Sequence, residues 1–171
     1  MKINIVSAVA LTLLVGVLPA MADDNQNSST IEQIGNDNAA EVTQGGNDNT
    51  NISDVDQAFG GGGDLLTTFV DQSGTGNSNE SNVTQSGDNQ YADIVQDGVD
   101  NSNISNVTQS GLDNEAFITQ GGTNNTNQSD VTQTGTGGLN SVVVTQGGSD
   151  NINTATTIQN GSGSIAVTTQ N

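Results

Sequence analysis

The chain reads as an all-β protein: a β-solenoid, β-helix-like, of about six turns with two strands per turn and cross-β stacking between turns. Three observations carry that reading. A heptad recurs in which every second residue obeys one rule, connection lengths alternate regularly, and a glycine follows nearly every heptad at a fixed offset.

The heptad is clearest at Asn103-Ile104-Ser105-Asn106-Val107-Thr108-Gln109. Successive side chains of a strand point to opposite faces, so Asn103, Ser105, Val107 and Gln109 share one face. That face, roughly Asn-x-small-x-Val/Ile-x-Gln, appears in twelve arms. The first six are Asn27-Ser29-Ile31-Gln33, Asn38-Ala40-Val42-Gln44, Asn51-Ser53-Val55-Gln57, the irregular Leu66-Thr68-Val70-Gln72, Asn79-Ser81-Val83-Gln85 and Gln90-Ala92-Ile94-Gln96. After the Asn103 arm come Asn114-Ala116-Ile118-Gln120, Asn127-Ser129-Val131-Gln133, Asn140-Val142-Val144-Gln146, Asn153-Ala155-Thr157-Gln159 and Ser164-Ala166-Thr168-Gln170.

Connections after odd arms are usually four residues and those after even arms six, giving a period of about 24 residues. Gly35, Gly46, Gly74, Gly87, Gly98, Gly111, Gly122, Gly135, Gly148 and Gly161 each lie two positions after a Gln, where a tight reversal calls for positive φ. A meander of hairpins gives no reason for the lengths to alternate. A solenoid does, because all short turns then lie on one edge and all long turns on the other. Stacking puts Gln on Gln and Asn on Asn, so buried amides can hydrogen-bond in ladders along the axis. Two stretches depart from the pattern. Ala58–Leu65, with Gly60 to Gly63, reads as a flexible loop, and Thr157 and Thr168 replace Val or Ile, which predicts a looser end or a register slip.

Composition narrows the function classes. Without Cys or His the chain has no zinc-type site and no nucleophilic triad, and no nucleophile–base pair or cofactor site is recognisable; the reading is not an enzyme. The only cation is Lys2, against 19 acids, which argues against nucleic acid and anionic membranes as partners. Lys2, the apolar run Ile3–Leu18 and Pro19-Ala20-Met21-Ala22 form a secretory signal over residues 1–22, cleaved after Ala22. Residues 23–26 remain as a short leader and 27–171 as the repeat domain, with no membrane insertion expected.

The segments Asn38-Ala39-Ala40-Glu41-Val42-Thr43-Gln44-Gly45-Gly46 and Asn114-Glu115-Ala116-Phe117-Ile118-Thr119-Gln120-Gly121-Gly122 resemble the curlin repeat of curli amyloid fibres. The resemblance covers residues 27–170. It implies a secreted structural subunit of a pilus-like cell-surface fibre, serving biofilm matrix and adhesion. It also implies a nucleator subunit, a periplasmic chaperone and an outer-membrane secretion channel as partners. The six-residue turns are longer than the curlin turn and the leader is shorter. The absence of basic residues from the mature chain favours a major subunit over a nucleator.

Arm 1 starts just after the signal and arm 12 ends at Gln170, so neither end of the stack is expected to carry a cap. An uncapped stack is an open edge, on which a second copy can add. Asp37, Asp48, Asp88, Asp100, Asp113 and Asp150 fall in or near turns, either as solubilising charges or as columns that hold calcium. A different class remains open: a soluble secreted β-solenoid that binds ice or acts as an adhesin. Thr43, Thr84, Thr108, Thr119, Thr132 and Thr145 share an outward position that would suit ice.

Overall fold

The computed structural model describes residues 14–16, 25–35, 37–59 and 65–171. Apart from residues 14–16 the expected signal lies outside them, as do residues 23 and 24 of the leader and the tetraglycine stretch. The described chain is all-β: β1 (Leu14–Gly16), β2 (Gln26–Ile34), β3 (Ala39–Gln44), β4 (Thr50–Phe59), β5 (Leu66–Gln72), β6 (Ser78–Gln96), β7 (Ser102–Gln120), β8 (Thr126–Gln146), β9 (Ile152–Gly161) and β10 (Ile165–Gln170).

Every strand pairing is parallel. This excludes a hairpin meander, whose neighbouring strands would run antiparallel. Odd arms stack in the order β2, β4, β6, β7, β8, β9, and even arms in the order β3, β5, β6, β7, β8, β10. Pairing in β6, β7 and β8 continues through the short corner, so each holds two arms. The result is a solenoid of about six turns, which at roughly 4.8 Å per turn makes a column about 29 Å tall.

Repeat length sets the register. Asn79, Ser81, Val83 and Gln85 lie on Asn103, Ser105, Val107 and Gln109, which lie on Asn127, Ser129, Val131 and Gln133. The expected slip at the last arms does not occur: Thr157 stacks on Val131 and Thr168 on Val144. Glutamine ladders on both sides hold the phase there, while Ile158 and Val167 stay exposed. Besides Ala58–Leu65, a second connection departs from the four-residue rule, since residues 134–139 make a six-residue turn after an odd arm. The ladder accommodates it with a register shift between Leu112 and Asn114.

Two columns meet in a thin core. Val55, Val83, Val107 and Val131 line the odd side, and Val42, Val70, Ile94, Ile118 and Val144 the even side; all are buried. Ala92 and Ala116 keep the two sheets close. At one end of the stack β1, within the segment expected as the signal, pairs with Glu41 to Thr43 of β3 and covers that edge on the even side.

Candidate functional site: the amide ladders and the two open ends

Parallel stacking brings the predicted glutamines into two columns. On the odd side Nε2 of Gln33, Gln57, Gln85, Gln109 and Gln133 each donates to Oε1 of the Gln one turn on, at 2.7–3.0 Å, ending at Gln159. On the even side Gln44, Gln72, Gln96, Gln120 and Gln146 do the same at 2.8 Å, ending at Gln170. The second Nε2 hydrogen crosses to the facing sheet, as in Gln109 to Tyr91 O at 2.9 Å and Gln120 to Ile104 O at 2.8 Å. An amide buried in an apolar slot is costly unless its hydrogen bonds are satisfied, and here three are made per side chain in mid-column.

The odd-side asparagines form a third ladder that runs the other way. Nδ2 of Asn51, Asn79, Asn103, Asn127 and Asn153 each donates at 2.9 Å to Oδ1 of the Asn one turn back, beginning at Asn27.

The even-side asparagines behave differently from the single ladder expected. Nδ2 of Asn38 and Asn114 reaches back to close the short turn, on Ile34 O at 3.3 Å and Ser110 O at 2.8 Å. Asn140 makes the one side-chain ladder step of this column, to Asn114 Oδ1 at 3.0 Å. The physical reason is turn length. After a four-residue turn the Asn five positions past Gln both opens the arm and closes the corner. After a six-residue turn those two jobs fall to separate residues. Leu66 interrupts the even column, and the buried Oδ1 of Asn38 and Oε1 of Gln90 on either side of it find no donor.

Sequence reasoning missed the residues that close the long turns: Asn49, Asn77, Asn101, Asn125 and Asn151. Nδ2 of Asn101 bonds Asp97 O in its own turn at 2.8 Å and Gly122 O in the next at 3.1 Å, while its Oδ1 accepts from Asn125 N at 2.9 Å. The same set recurs at Asn49, Asn77 and Asn125. The signal was present as an Asn five residues after Gln in each long turn, hidden beside the arm's own Asn.

Nine of the ten predicted turn glycines have positive φ. Gly135 does not, because its longer turn reverses at Gly137 and Gly138, with φ of 143° and 92°. Asp37, Asp48, Asp100, Asp113 and Asp150 also take positive φ, 53–57°, a conformation Asp and Asn tolerate better than other non-glycine residues. In the long-turn column Gly76 separates Asp48 from Asp100, and Asn124 separates Asp100 from Asp150. Among the described residues no three acidic side chains cluster to hold a metal ion.

The threonine position splits across two faces, with Thr84, Thr108 and Thr132 on the odd sheet and Thr43, Thr119 and Thr145 on the even sheet. The even outer face instead carries an aromatic run: Phe69, Tyr91 and Phe117, with ring centroids 5.9 and 5.4 Å apart. Among the acids beside it, Asp71 has its carboxyl pushed above the usual range, first by burial and then by the charges of Asp97 and Asp93.

The molecule belongs, by architecture, to the parallel β-solenoids with amide-laddered cores. Compared with protein-family models, curated proteins and solved structures, the chain finds no match.

Proposed function

We propose that this chain is a structural subunit of an extracellular, curli-like functional amyloid fibre, a major subunit that polymerises end to end. The observation that carries the reading is the complementarity of the two ends. At the first turn, Gln33 and Gln44 have Oε1 atoms that accept no hydrogen bond among the described residues. At the last turn, Gln159 and Gln170 use one Nε2 hydrogen each, on Ser141 O at 3.2 Å and Thr154 O at 3.0 Å, and have one to offer. The asparagine ladder runs oppositely, so at the first turn Asn27 Nδ2, which gives one hydrogen to Gln44 O at 3.5 Å, has one to offer, and at the last turn Asn153 Oδ1 is left to accept.

A second copy laid first turn on last turn therefore meets donor with acceptor in all three columns and adds a rung of parallel pairing on both sheets. Two first turns facing each other would set oxygen against oxygen. The contact is heterologous and does not close, which generates a filament. Cleavage after Ala22 would remove β1 and bare the β3 edge, fitting assembly after export through a periplasmic chaperone and an outer-membrane channel, with a nucleator as the first template. The dispersal of threonines over two faces favours the fibre over ice binding.

The test is to desalt residues 23–171 from denaturant and follow thioflavin T fluorescence, with fibre diffraction at the end. A lag, growth, and reflections near 4.8 Å and 10 Å support the reading. A soluble, strand-rich monomer that never elongates overturns it in favour of a capped solenoid acting as an ice binder or adhesin.

A further inference from the structure

The two outer faces of the solenoid differ. The odd face is polar along its centre, where Asn82 donates to Asn106 at 2.9 Å and Asn106 to Asp130 at 2.7 Å, with Asp54, Asp56 and Glu80 close by. The even face divides along its length. Its earlier turns present Glu41, Asp71, Asp93 and Glu115 between the aromatic rings. Glu115 shares its rung with Phe117 and Thr119, and the last two turns beyond it present Ser141, Val143, Thr145, Ile165, Val167 and Thr169, with no charge among them. Ile165 and Val167 are 77% and 67% exposed.

We infer that this uncharged end of the even face is the surface on which a second copy, in a neighbouring filament, packs sideways. The inference rests on the end-to-end assembly reading. The occupant follows from charge and shape. A chain with 19 acids and a lone cation, Lys2, repels its own copies almost everywhere. On the even sheet that repulsion is absent only beyond Glu115. The patch is a parallel sheet, so a sheet of the same rung spacing from another copy can cover it, packed face to face as in a steric zipper.

Its size explains why sideways pairing would wait for the fibre. Two rungs by six residues is roughly 10 by 20 Å, or about 200 Å², well below the ~800 Å² each partner gives a standard interface. A filament repeats the patch once per copy, so about ten copies offer ten such patches in register and gain by multivalency. The intervening acidic rungs then face one another, which makes the pairing salt-dependent.

The test compares fibres of the wild-type chain, Val143→Glu, and Thr108→Glu, which puts the same charge on the odd face. Filament width is read by electron microscopy, and elongation rate is read from seeded growth. Expected are paired or bundled filaments for wild type and Thr108→Glu. Val143→Glu should give single filaments with elongation within about twofold of wild type, and added salt should widen the wild-type bundles. Bundling of Val143→Glu like wild type, or loss of bundling in Thr108→Glu alone, overturns the lateral site while leaving end-to-end growth intact. A wild-type chain that forms no filaments overturns the assembly reading and this inference with it.

Discussion

Gln109 Nε2 donates to Gln133 Oε1 at 2.9 Å, and both side chains are fully buried. Gln109 also accepts from Gln85 at 2.8 Å and donates across the core to Tyr91 O at 2.9 Å. Replacing it by Leu keeps the volume but strands a donor above, an acceptor below and a carbonyl opposite. An orphaned buried polar group costs ~1–3 kcal/mol. Gln109→Leu should therefore lose about 2–5 kcal/mol, seen as a lower denaturant midpoint. A change under about 1 kcal/mol would mean that the ladder contributes little to stability.

The small position of the odd arms predicts the opposite sign. Ser53, Ser81, Ser105 and Ser129 are buried with hydroxyls that lack a partner, and Ala155 occupies the same column. In this column no hydroxyl comes within hydrogen-bond reach of another. Ser105→Ala should be neutral or stabilising by up to about 1 kcal/mol in the same denaturation measurement.

Two glycines separate strain from composition. Gly98 has φ of 108°, and a Cβ there would run into the Gly122 backbone and the Asn101 amide. Gly45 has open space around its missing Cβ and is not among the positive-φ residues. Gly98→Ala should cost at least about 1–3 kcal/mol, while Gly45→Ala should change little. Equal effects on thermal midpoints would contradict the assigned turn geometry.

The pH dependence follows from Asp71. Burial, then Asp97 and Asp93, raise its folded-state value above 3.8, so the folded chain binds a proton more readily than the unfolded chain. This group's contribution to stability therefore rises as pH falls through the raised value. It levels off below about 3.8, where both states are protonated. Denaturant midpoints taken from about pH 7 down to about pH 4 should climb for wild type, and the climb should be smaller in Asp71→Asn. Identical slopes would remove Asp71 as a cause. Neutralising the acids in the turns and on the faces should also speed filament growth, and divalent salt should do so by screening.

The heptad by itself determined the strands, the parallel stack, the two turn classes and the glutamine columns. A period-two pattern repeated at a constant interval has only one register that puts every Gln, Val and small residue on its counterpart. The tertiary structure decided the rest. Whether Asn38 and Asn114 ladder or close a corner depends on how far a turn carries the chain, which side-chain alternation does not encode. The columns formed by Asn49, Asn77, Asn101 and Asn125 exist only once neighbouring turns are superimposed, since each amide is satisfied half by its own turn and half by the next. The opposite senses of the Gln and Asn ladders are likewise invisible in a list of residues. An amide is chemically the same whichever way it faces, and only the stacked backbone fixes which neighbour receives its hydrogen.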